Sequence, residues 1–111
     1  MKTLHISDLD GTLLANEGKL SDKNKRRINN LIEKGLLFTI ATARTFATVV
    51  PILDGVKINC PVILMNGVMI YDLIKKVPID LEIISDNAKL NILNCLKKHD
   101  ISGFVYTWNK K

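Results

Sequence analysis

The sequence predicts an α/β fold: a parallel sheet crossed by helices through residue 66, then the beginning of an α+β unit over 67–111. Three observations carry this. Ile, Leu and Val occur in short runs separated by polar stretches, the habit of strands buried on both faces. Up to Asn66 these runs alternate with segments of helical period, and strand-helix-strand succession implies right-handed parallel crossovers. After Asn66 two runs follow each other with only a turn between them, the pattern of a hairpin.

Each element follows from its residues. Leu4 to Ile6 reads as a short buried strand that ends at the polar Ser7-Asp8 and runs into the turn signal Asp10-Gly11. From Ser21 the period becomes helical. Ile28, Leu31 and Ile32 share a face, Ser21 is placed to cap the N-terminus, and Gly35 to stop the helix. Leu36 to Ala41 is a second apolar strand, ending in Thr42-Ala43-Arg44 and leading to a helix around Phe46 to Leu53 that Pro51 should kink or shorten. Val62 to Met65 is a third strand, opened by Pro61 and closed by Asn66-Gly67. Val68 to Tyr71 and Val77 to Ile84 read as strands joined through Asp72 to Lys76. Asp86 to His99 reads as an amphipathic helix burying Ala88, Ile92, Leu93 and Leu96, and Gly103 to Trp108 as a last strand that closes the second sheet.

Composition narrows the function. A chain of 111 residues with 47% hydrophobic and 24% charged content is globular and long enough for a modest core, which sets aside disordered and fibrous classes. The opening apolar stretch is interrupted at Ser7, Asp8 and Asp10, too early for a signal peptide, and no segment approaches the length of a membrane span. A cytoplasmic location is expected, with no membrane partner. The formal charge of +5 is spread over separate elements without an Arg-rich block or interleaved aromatics, so no nucleic-acid partner is expected. Cys60 and Cys95 stand far apart without metal or redox spacing and read as small buried hydrophobes; His5 and His99 have no evident catalytic partner.

The chemistry is read from the strand ends. In an open parallel sheet, ligands bind beyond the carboxyl ends of strands, and three such ends carry Asp8/Asp10, Thr42/Arg44 and Asn66. Residues two apart on extended chain point the same way, so Asp8 and Asp10 can face one pocket while Leu9 packs away from it. A carboxylate can attack phosphorus to give an aspartyl phosphate that water later discharges, a role for which Asp8 is placed. A second acid can protonate the leaving oxygen and then deprotonate water, a role for which Asp10 is placed. Two carboxylates facing a phosphate need an oxygen-ligated divalent cation, and Mg2+ suits them. Thr42 offers a hydroxyl and a backbone N–H to a transferring phosphoryl group, and Arg44 or Asn66 can orient substrate. A calcium loop counted from Asp8 fails, because Leu13 stands at the glycine position and Lys19 at the acidic one.

Ser7-Asp8-Leu9-Asp10-Gly11-Thr12-Leu13-Leu14 resembles the D-x-D-G-T-[LV]-[LV] motif of the haloacid dehalogenase (HAD) superfamily. Ile40-Ala41-Thr42-Ala43-Arg44 is similar to its second motif, with Ala43 where Cof-type members usually have glycine, and Ile63 to Asp72 is similar to the N-G-A-x-I-x-D passage into the cap. The resemblance implies a Rossmann-like three-layer core and a Mg2+-dependent phosphatase. It makes Asp8 the nucleophile and a side-chain metal ligand, and Asp10 the acid/base and a metal ligand through its backbone carbonyl. Leu9, Gly11, Thr12, Thr42, Ala43, Arg44 and Asn66 become candidate phosphate- or substrate-binding residues. Small phosphorylated metabolites, sugar phosphates or phosphorylated cofactors, are the implied substrates. The superfamily's lysine and late acidic motif are not found, so the expectation is an incomplete fragment of a longer active protein. Its exposed sheet edges would make self-association plausible. The alternative is a non-catalytic phosphate- or metal-binding module.

Overall fold

A computed structural model describes residues 2–14 and 18–109. Strand β1, Leu4–Ser7, pairs in parallel with β2, Leu37–Ile40, in a register that sets Leu4 opposite Leu37 and Ser7 opposite Ile40. Between them runs helix α1, Asp22–Glu33, the crossover that a parallel pair requires. The Ser21 hydroxyl accepts from the Asn24 N–H, and Gly35, at φ +97, closes the other end. Its N–H reaches the Ile32 carbonyl while the Leu36 N–H reaches that of Leu31, the paired bonds of a Schellman end. Helix α2, Phe46–Leu53, contains Pro51 and stops two residues after it.

Strand β3, Val62–Leu64, joins β2 through a parallel bridge between Ala41 and Ile63. It then turns through Met65–Gly67 into β4, Met69–Asp72, which pairs with it antiparallel, and β5, Val77–Leu81, pairs antiparallel with β4. The change of pattern at Asn66 is thus the switch from parallel to antiparallel pairing. Two edge strands result, β1 and β5. Pro78 is tolerated on β5 because an edge strand can spare a ladder N–H. β1, expected as a buried strand, is not buried: both Leu4 and Ile6 are about half exposed, because one side of the strand is open.

The core is built by the sheet and the first two helices. Ile40, Val62 and Leu64 from the strands meet Ile28 of α1 and Val49 and Leu53 of α2. Thr39, buried among them, donates its hydroxyl to the Pro61 carbonyl at 2.6 Å. Asn59 serves as a substitute strand at the start of β2, accepting from the Phe38 N–H and donating to the Leu36 carbonyl.

The C-terminal third departs from expectation. Helix α3, Asp86–Lys98, forms where predicted, with Ser85 as N-cap, but buries no residue; Ala88 and Leu96 are half-buried and Ile92 and Leu93 exposed. The predicted strand Gly103 to Trp108 is absent, and residues 101–109 carry no regular structure. Its alternation is suited to a strand, but a strand exists only against a neighbour, and Phe104 at 93% exposure has none. The tail folds back locally instead: at Gly103 a side chain would come within 3.7 Å of Leu96. The radius of gyration, 16.9 Å, exceeds the about 13 Å of a compact domain of this length, as a helix standing off the core requires. Strand β5 also ends at Leu81, leaving Ile83 and Ile84 exposed, and Cys60 is half-buried and Cys95 exposed, so neither cysteine is a core residue.

Candidate active site

Backbone hydrogen bonds knit the carboxyl ends of β1, β2 and β3 together. The Ala41 N–H reaches the Ser7 carbonyl, the Thr42 N–H that of Ile63, the Asn66 N–H that of Thr42, and the Met65 N–H that of Arg44, all at 2.9 to 3.1 Å. Met65 and Asn66 adopt left-handed φ values of 52° and 56°, and Gly67 follows at 93°. Two consecutive non-glycine residues in that region cost about 1–2 kcal/mol each, a local strain of the kind that collects at functional sites. The strain turns the chain after β3 back over the end of β2.

The result is an open cleft of about 530 Å³. Of the residues expected at a site, Asp8, Asp10, Thr42, Ala43 and Asn66 line it; Ala41, Ile63 and Gly67 complete the wall. Those three carry no polar side chain to single them out, and only the Asn-Gly turn signal pointed toward Gly67. Leu9 is fully buried and packs into the core, Gly11 and Thr12 are exposed beyond the cleft, and Arg44 reaches it through Asp10.

The loop Leu9–Leu13 explains how two carboxylates reach one opening. Leu9, at 0% exposure, anchors it from below, and the Leu14 N–H closes it onto the Leu9 carbonyl at 2.9 Å. Gly11 takes φ +74 between them, the conformation for which glycine is suited. The Asp8 carboxylate accepts from the Leu9 N–H at 2.7 Å, which fixes its rotamer at the strand end. Asp10 is gripped from across the cleft by the Arg44 guanidinium, Nε to Oδ2 at 2.8 Å and Nη2 to Oδ1 at 2.7 Å. This bidentate hydrogen bonding, reinforced by the opposite charge, holds the Asp10 carboxyl below its ordinary value against a smaller upward push from desolvation.

Thr42 is buried, and its backbone N–H is spent on Ile63. That N–H is therefore not open to a phosphoryl group, contrary to the sequence expectation, because the strand bridge consumes it. Its hydroxyl oxygen accepts from the Arg44 N–H at 3.2 Å, leaving the hydroxyl proton as the group it can offer. Asn66 stands opposite with its side chain exposed.

Comparisons with known proteins give the family and the fold. Residues 5–111 match the family model described as haloacid dehalogenase-like hydrolase, and the chain belongs to that family. A protein named as a phosphatase in Buchnera aphidicola subsp. Baizongia pistaciae is 37% identical over 103 residues, covering 93% of this chain and 39% of its own length. The 5-amino-6-(5-phospho-D-ribitylamino)uracil phosphatase of Bacillus subtilis is 42% identical over 72 residues, 65% of this chain and 24% of that protein. The crystal structure of a haloacid dehalogenase-like hydrolase from Bacteroides thetaiotaomicron superposes with a TM-score of 0.78 at 20% identity, over 90% of this chain and 39% of that one, and confirms the fold. The chain thus spans between about a quarter and two fifths of the length of these relatives.

Proposed function

We propose that the chain carries the nucleophile half of a Mg2+-dependent phosphomonoesterase of the Cof type, acting on small phosphorylated metabolites, and is an incomplete fragment of the active protein. The observation that carries this is the convergence of Asp8 and Asp10 on one cleft with the Thr42 hydroxyl. The B. subtilis relative, named for a phosphorylated metabolite, supports the substrate class.

In the reaction, an Asp8 carboxylate oxygen bonds to phosphorus as the ester P–O bond breaks. Asp10 gives its proton to the departing oxygen, then takes one from a water that attacks the phosphorus and frees Asp8 and inorganic phosphate. The Thr42 hydroxyl donates to a phosphoryl oxygen. The donors at the cleft are hard oxygens, the type that suits magnesium; Asp8 would hold it by its side chain and Asp10 by its backbone carbonyl. The ion supplies charge neutralisation between carboxylates and phosphate. Among the described residues no group of three or more His, Cys, Asp or Glu could hold a metal. A second reading, a phosphate- or metal-binding module without turnover, is motivated by the superfamily's lysine and late acidic motif not being found in these 111 residues.

The same proposal covers the division into a core part through residue 66 and a cap beginning at 67, a cytoplasmic location, and self-association through the open edge of β1. For location, the structure contributes one fact: no helix among the described residues is long and apolar enough to cross a membrane.

Hydrolysis of an aryl phosphate, with and without magnesium, tests the proposal on the 111-residue chain, on a form carried on to its relatives' length, and on that longer form with Asp8→Asn. Magnesium-dependent turnover by the long form alone, abolished by Asp8→Asn, is expected. Turnover that survives Asp8→Asn overturns the nucleophile, and turnover by the short chain overturns the fragment reading. A long form without any turnover returns the second reading.

A further inference from the structure

The cleft has an internal charge arrangement that its proposed chemistry does not explain. Its lining carries two carboxylates, Asp8 and Asp10, and no cationic side chain. A cation contacts this lining at Asp10, the guanidinium of Arg44. The Arg44 backbone is held at the cleft rim from both sides, the N–H on the Thr42 hydroxyl and the carbonyl under the Met65 N–H, so the guanidinium starts from a fixed point. The Nε/Nη2 edge of that guanidinium is closed on both oxygens of the Asp10 carboxylate. The pair is solvent-accessible, with side-chain exposures of 31% for Arg44 and 55% for Asp10, so it can exchange partners without breaking the core. A guanidinium fork fits a phosphate as well as it fits a carboxylate. An anion entering the cleft therefore meets Asp10 first and finds the Nε/Nη2 edge of Arg44 already occupied.

We propose that Asp10 competes with phosphate for the Nε/Nη2 edge of Arg44, so that an anion gains this bidentate edge only by displacing the carboxylate from it. The inference rests on the reading of the cleft as a phosphate site, and it adds a built-in competitor to that site.

The test is calorimetric titration of the 111-residue chain with inorganic phosphate in the presence of a chelator, so that no divalent cation contributes. Four proteins are compared: the native chain, Asp10→Asn, Arg44→Gln and the double variant. Releasing Arg44 from an exposed pair should make Asp10→Asn bind phosphate about three- to tenfold more tightly at low salt, with the gain shrinking as salt rises. Arg44→Gln alone should stay within about twofold of native, because its charge is already engaged. The double variant should lose the gain. Asp10→Ala, which also frees the guanidinium, serves as a second variant should Asp10→Asn fold poorly. The proposal is overturned if both Asp10 variants bind no more tightly than native, if the gain persists without Arg44, or if Arg44→Gln alone collapses binding. The phosphatase reading fails separately, by a long form without any turnover, and that outcome leaves these four affinities unchanged.

Discussion

Replacing Leu9 by alanine probes two roles that one residue combines, holding the core and holding the loop that carries Asp8 and Asp10. Leu9 lies between Asp8 and Asp10 yet has 0% exposure, packed among the residues of the core cluster. Removing a fully buried leucine side chain costs its transfer free energy and leaves a cavity, together about 2–5 kcal/mol. With about 3 kcal/mol lost and a urea dependence of about 1.5 kcal/mol per molar, the unfolding midpoint should fall by about 2 M. Urea titration followed by circular dichroism measures it, with Leu31→Ala on α1 as a control. Leu31 is 50% exposed, so its truncation should cost less than about 1 kcal/mol. Equal midpoints for Leu9→Ala and Leu31→Ala would refute the reasoning, because the loop would then not be anchored through Leu9.

Three further outcomes follow from particular contacts. The Asp10 carboxyl is lowered by Arg44, so the pair's contribution to stability is present above about pH 4 and lost as pH falls through the lowered value; NMR titration should show Asp10 moving back up in Arg44→Gln. Asp100 sits at φ +51 in the position that ends α3, with the Ile101 N–H on the Leu96 carbonyl as in a Schellman end; Asp100→Gly should therefore stabilise α3 by about 0.5–1 kcal/mol, read as slower amide exchange in its last turn. Thr39→Val removes the donor to the Pro61 carbonyl, a part-buried bond, and should cost about 1–3 kcal/mol in thermal or urea unfolding, whereas Thr48→Val, which removes an exposed bond to the Thr45 carbonyl, should cost far less.

How much was legible depended on whether a residue's role is local. Ser21 capping α1 and Gly35 ending it are local signals, and both were readable. The three strand ends were readable because apolar runs stop where polar residues begin, and topology then brings those ends together. The Asp10–Arg44 pair was not legible, since 34 residues separate the partners and only the folded sheet apposes them. Nor was the loss of the Thr42 N–H to Ile63, which depends on β2 and β3 being neighbours. At Gly103 to Trp108 the alternation matched a strand, but pattern records what a segment could pair with, and no strand lies beside it. The apolar residues of α3 were read as buried for the same reason: periodicity identifies a face, while burial needs something to cover it.

Chemical trapping of the intermediate tests the central claim most directly. The form carried on to its relatives' length would be mixed with an aryl phosphate and magnesium, quenched in acid, and reduced with borohydride, which converts a phosphorylated aspartate to homoserine. Peptide sequencing then reads which position was phosphorylated. Homoserine at position 8 alone, dependent on substrate, is the predicted result; its appearance at position 10, or at no aspartate while turnover proceeds, would contradict the assignment of Asp8 as nucleophile.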